Sequence, residues 1–143
     1  MKKTLILLLA LSGFAQADDE TYYAYYGIAT TNPPAVVAAM DKFNASECGQ
    51  KTESTVALMS ETFNGGEPST HTFVVTYNGS KVLDETLATL STCPDYATFL
   101  TEMAEVSVPT EQNLVKKVYE QGDWTQDTVF AVFEMNIKNE DAY

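Results

Sequence analysis

Few side chains here are equipped for acid–base, nucleophilic or metal chemistry at neutral pH. In 143 residues there is one histidine, His71, and there are two cysteines, Cys48 and Cys93. A histidine suits general-base work or ligation of a haem iron. His71 lies in STHTFVVTY, and no partner is identifiable that would complete a catalytic or metal set. The plain role of a hydrogen-bonded strand residue therefore stands beside the catalytic one. The cysteines lack CxxC spacing and have no neighbouring histidine, which argues against a zinc site or a dithiol redox centre. A Cys48–Cys93 disulfide is expected, and no metal. The serines and threonines form no nucleophile elbow.

Aromatic chemistry is better supplied. TYYAYYGIAT places Tyr22, Tyr23, Tyr25 and Tyr26 within five residues, enough for a stacking platform under a sugar or aromatic ligand. Such a cluster also suits a strand covered on both faces, or a subunit interface. Period-two alternation puts Tyr22, Ala24, Tyr26 and Ile28 on one side and Tyr23, Tyr25 and Gly27 on the other. A later strand places His71, Phe73, Val75 and Tyr77 together. The candidate ligand-binding residues are Tyr23, Tyr25, His71, Phe73 and Tyr77; which parity faces the helices is left open.

Charge narrows the partners. The formal net charge is −12, from eight lysines, no arginine and twenty acids. Nucleic-acid binding needs clustered cations to displace counterions, and bidentate phosphate recognition needs arginine, so neither is expected. The start, MKKTLILLLALSGFAQA, has a lysine n-region, a short apolar stretch and small residues at Ala15 and Ala17. It reads as a secretory signal peptide cleaved after Ala17, too short to span a bilayer, which takes roughly 20 residues. A periplasmic or secreted protein with no membrane span after cleavage is expected. That compartment favours the disulfide.

These residues must be positioned by about 126 residues of mature chain, one domain's worth. Strand one spans 21–30. Asn32 is a natural N-cap with Pro33 and Pro34 in the first turn, and Val36, Val37, Met40 and Phe43 recur at helical spacing up to a Gly49 stop. Strands at 51–63 and 69–77 flank the turn signal Asn64-Gly65-Gly66. A helix capped by Ser80 breaks at 91–93. Pro94 opens another, with Tyr96, Phe99, Leu100, Met103 and Val106 on one stripe and Pro109 beyond its end. Strands are expected at 113–121 and 128–137. The order β-α-β-β-αα-β predicts an α+β, ferredoxin-like antiparallel sheet with helices packed on one face.

Shifting the chain by 107 positions lays AYYGIATTNPPAV over AVFEMNIKNEDAY: Ala24 meets Ala131, Asn32 meets Asn139 and Ala35 meets Ala142. The pattern suggests three parts: a signal peptide (1–17), a ferredoxin-like domain (18–126) and, at 127–143, the start of a truncated second repeat. A true C-terminus whose last strand pairs back into the sheet is the alternative.

With strand one, the capped helix, the hairpin and the broken second helix in place, the chain resembles the dimeric α/β-barrel superfamily over about Thr21 to Ile137. It is also similar to exported proteins of marine bacteria. The resemblance implies two ferredoxin-like units packed sheet on sheet, as a homodimer or as a tandem repeat. It also implies relatives that include cofactor-free monooxygenases, haem-degrading enzymes and haem-dependent chlorite dismutases. No catalytic motif of these maps onto this chain. The expected function is an exported, non-catalytic binding or assembly module without a cofactor. The alternative is a small cofactor-free monooxygenase or haem-handling enzyme with His71 pointing into a cavity.

Overall fold

The computed structural model describes residues 20–123 and 126–139. The signal-peptide reading of 1–17 and the last four residues of the repeat comparison lie outside them. Strand β1 (Thr21–Ala29) pairs antiparallel with β3 (His71–Asn78) on one side and β4 (Val108–Lys116) on the other. Strand β2 (Thr55–Ser60) pairs antiparallel with β3, so the sheet order is β2-β3-β1-β4. The aromatic β1 thus becomes a central strand, as its apolar character on both faces suggests. With its helices, the sheet is the α+β ferredoxin-like fold.

Helix α1 (Pro33–Asn44) starts as its sequence dictates. The Asn32 side chain accepts from the Ala35 amide at 3.4 Å, and prolines occupy the positions that need no donor. It ends at Asn44, earlier than the spacing predicts, because Gly49 is no left-handed stop. Gly49 opens a short 3-10 turn (Gly49–Lys51) packed so closely under α1 that a Cβ there would lie 2.2 Å from the Phe43 carbonyl oxygen. Helix α2 (Ser80–Ser91) begins after Gly79, whose φ of 112° needs glycine, so Ser80 is its first residue and not its cap. Helix α3 (Pro94–Val106) takes Cys93 as N-cap, the sulfur accepting from the Tyr96 amide at 3.2 Å.

Interleaved side chains from α1, α3, β1 and β3 form the core. Ile28, Val36, Ala39, Phe73 and Met103 are buried together, with Tyr26, Met40, Leu58, Phe99 and Val106 against them. Since Tyr26 stands opposite Phe73, and Phe73 opposite Leu58, one parity of every strand faces the helices. The disulfide between Cys48 and Cys93 joins the end of α1 to the start of α3 with a Cα–Cα distance of 6.1 Å. A Lys42–Glu102 ion pair links the same two helices.

Two expected strands differ. The fourth runs over Val108–Lys116 instead of 113–121, so Pro109 lies inside it, tolerated because β4 is an edge strand. Its pairing with β1 shifts between Gly27 and Ile28, leaving Thr110 as the extra residue of a bulge. Gly27 is required there, since a Cβ would sit 2.6 Å from Thr110 Oγ1. The strand expected at 128–137 does not form: 126–139 contains no strand, and Val129, Val132, Phe133 and Met135 are exposed. Alternation alone does not make a strand; the backbone needs a hydrogen-bonded neighbour, and no strand pairs with this segment.

Candidate functional site

Between the helix-facing side of the sheet and the helices lies a cleft of about 480 Å³, within the range of small-molecule sites. Its floor is made by alternate residues of three neighbouring strands: Tyr26 and Ile28 on β1, Phe73, Val75 and Tyr77 on β3, and Val56 on β2. Its roof carries Met40 and Phe43 of α1, Leu90 of α2, and Tyr96, Phe99 and Met103 of α3. Phe43, Tyr96 and Phe99 form one aromatic group with ring centroids 5.3–6.0 Å apart, a spacing favourable for offset or tilted rings. Gln112 and Glu111 of β4 border one end, and Asn44, Thr52 and Ser54 the other.

Three phenols, Tyr26, Tyr77 and Tyr96, converge on this cleft. Burial pushes the Tyr77 hydroxyl well above the usual tyrosine range, and its neighbours Tyr26, through charge and hydrogen bonding, and Tyr96 push it further. Burial also raises Tyr96, with a smaller contribution from Tyr26. The common cause is desolvation of a phenolate, aggravated by a second phenol that would also become negative. Tyr77 and Tyr96 therefore remain protonated at any physiological pH. The Tyr77 hydroxyl is buried and bonded to Tyr26, Tyr96 is a neutral phenol of the cleft wall, and neither takes up a proton.

The five residues singled out from sequence are divided by the fold. Phe73 and Tyr77 line the cleft. Tyr23 and Tyr25 have the opposite parity and stand on the other face of the sheet, across from Thr76 and Val74. Burial, then the neighbouring Tyr23, raises the pKa of Tyr25. His71 begins β3, half-buried, with Nδ1 3.0 Å from Thr70 Oγ1, and is not in the cleft wall. Cys48 and Cys93 lie near Asp95, but both sulfurs are spent in the disulfide and offer no thiolate to a metal. Tyr26 belongs to the tyrosine cluster suited to a stacking platform but not to the five candidates, and the sequence places Tyr96 only on the apolar stripe of a helix. Tyr26 shares the parity of Ile28, and Tyr96 leads the apolar stripe of α3, so their convergence on Tyr77 follows once that parity is known to face the helices.

A second polar cluster staples the loop between β2 and β3. The Glu61 carboxylate accepts from Ser69 Oγ at 2.5 Å, from the Thr72 hydroxyl, and from Asn64 Nδ2 at 3.1 Å. Partial burial works to raise the Glu61 pKa, but these three donors and nearby His71 outweigh it and hold the carboxyl below its ordinary value.

No protein-family model and no curated protein matches the chain. Several solved structures share the fold. A nipsnap-family protein of unknown function from Agrobacterium tumefaciens superposes with a TM-score of 0.52 at 14% identity, covering 71% of this chain and 90% of that one. A putative antibiotic biosynthesis monooxygenase from Nitrosomonas europaea gives 0.48 at 14% identity, covering 75% and 97%. SnoaB, a cofactor-independent oxygenase from Streptomyces nogalater, gives 0.45 at 11%, covering 74% and 97%. Likeness at such identities speaks to architecture alone.

Proposed function

We propose that this chain is an exported, non-catalytic binding module that holds an apolar small molecule in the cleft between sheet and helices. The observation that carries the reading is the wall itself. Aliphatic and aromatic side chains from three strands and three helices line about 480 Å³, and Tyr77 and Tyr96 beside it are held neutral. Tyr77 and Tyr96, with raised pKa values, are hydrogen-bond donors and poor bases. The disulfide supports an oxidising compartment.

The other face of the sheet supports a homodimer. Tyr23 and Tyr25 are half-buried there, and on the same parity Val115 of β4 remains 42% exposed. Val129 and Phe133 are also exposed, and contiguous exposed apolar surface marks interaction sites. The reading is tested with the neutral probe N-phenyl-1-naphthylamine and with light scattering. Probe fluorescence should rise on addition of protein, and a bulky Phe99→Trp or Met103→Trp variant should reduce that rise. Absence of any rise refutes the binding site. Val115→Glu should convert a dimer into a monomer with unchanged circular dichroism, and a wild-type monomer would refute the sheet-to-sheet interface.

A further inference from the structure

The shape of the cleft says more than its volume. It reaches from Val56 on β2 to Pro109 and Gln112 on β4, the two outer strands of the sheet order β2-β3-β1-β4. Three interstrand steps amount to about 14 Å. Val56 is level with Val75 and hence with Ala24, whereas Pro109 is level with Ile28, four residues further along β1. That offset adds about 13 Å along the strand direction. The diagonal is about 19 Å.

The diagonal sets the length of the occupant. A zigzag hydrocarbon built from ~1.5 Å bonds advances about 1.3 Å per carbon, so about 15 carbons span it from β2 to β4. A rigid fused-ring system is shorter than the diagonal, and it meets a floor that turns by roughly 60–75° over three strand steps. A flexible chain follows that twist. Val56 on one outer strand keeps 38% exposure and Leu100 on α3 keeps 49%, so the cleft is accessible to solvent on both sides.

The wall also constrains the head group. No lysine lines the cleft, Glu111 borders its β4 end, and the chain carries a net charge of −12. An anionic head would meet no cation and an unfavourable field. At the β2 end, Asn44 and Ser54 supply uncharged donors and acceptors, and the Thr52 hydroxyl, which donates to the Gly49 carbonyl, adds an acceptor. Resting on the binding role proposed above, we infer that the ligand is a single-chain lipid of about 15 heavy atoms with an uncharged hydrogen-bonding head. An alcohol, amide or ester fits, with the head at the Asn44–Thr52–Ser54 end and the chain running diagonally beneath the helices.

The test is displacement of N-phenyl-1-naphthylamine from the whole protein by 1-alkanols of roughly eight to eighteen carbons, by the matched carboxylates, and by anthraquinone as a compact rigid competitor. Affinity should rise about fourfold per added methylene and level off once the molecule reaches about 15 heavy atoms. Each carboxylate should bind at least tenfold more weakly than its alcohol. Val56→Trp, at a solvent-accessible wall position, should bring the plateau to shorter chains. A flat dependence on length, or anthraquinone outcompeting every alkanol, overturns the lipid inference and leaves the binding role standing. Probe fluorescence that never rises overturns both.

Discussion

Cutting the Cys48–Cys93 bond should destabilise the protein by an amount that can be worked out in advance. The bridge closes a loop of 45 residues. Loop-closure entropy for that length is worth about 4 kcal/mol at 25 °C, a large share of the roughly 5–15 kcal/mol by which a domain of this size is stable. Cys48→Ala removes the bridge and leaves the Cys93 sulfur, which caps α3 through the Tyr96 amide. Cys93→Ala removes both bridge and cap, for a further loss of about 0.5–1 kcal/mol. Urea unfolding followed by circular dichroism gives both values. The midpoint for Cys48→Ala should coincide with that of wild-type protein in reductant, and Cys93→Ala should fall below it. The bond also joins Asn44 and Gly49 on one wall of the cleft to Tyr96 on another, so probe binding should weaken in step. A loss below about 1 kcal/mol for Cys48→Ala would mean that α1 and α3 already restrict the unfolded chain, and would refute the loop-closure reasoning.

Three more outcomes are expected. Because burial raises the Tyr77 pKa in the folded state, the protein should keep full stability below pH ~10 and lose it as pH rises further. Tyr77→Phe should blunt that alkaline loss, with tyrosinate absorbance near 295 nm as the second readout. Glu61 has a lowered folded pKa, so its contribution is present above about pH 4.3 and disappears as pH falls through the folded value; Glu61→Gln should flatten the acid side of the stability profile. Gly49→Ala would place a methyl against the Phe43 carbonyl and should cost about 1–3 kcal/mol in thermal or urea unfolding, the scale of overpacking.

Much of the fold is legible in local chemistry. Asn32 followed by two prolines starts α1 where expected, Pro94 starts α3, and the Asn64-Gly65-Gly66 segment turns the chain between β2 and β3, with Gly65 at φ 64°. These signals act over a few residues, and each demands a particular backbone shape. Gly49 and Ser80 depart from expectation for different reasons: Gly49 is required by a contact with α1 that its neighbours in sequence do not show, whereas the turn before α2 is set locally by the adjacent Gly79.

The order of the elements from β1 to β4, the pairing of two lone cysteines and the acidic character that argues against nucleic-acid partners follow from the sequence by itself. Each depends on residue identity or on spacing within one element. Tertiary structure alone decided which strand parity faces the helices. Period-two alternation defines two faces and is indifferent to their exchange. That choice placed Tyr26, Phe73 and Tyr77 under α3 with Tyr96 and sent Tyr23 and Tyr25 to the opposite face; His71 shares the parity of Phe73 but sits at the start of β3, outside the cleft wall. It also settled the fate of 128–137, whose alternating residues meet the requirement for a side-chain pattern but have no paired strand beside them. A strand is completed by hydrogen bonds to a neighbour that may be distant in sequence, so its existence is a property of the assembled sheet.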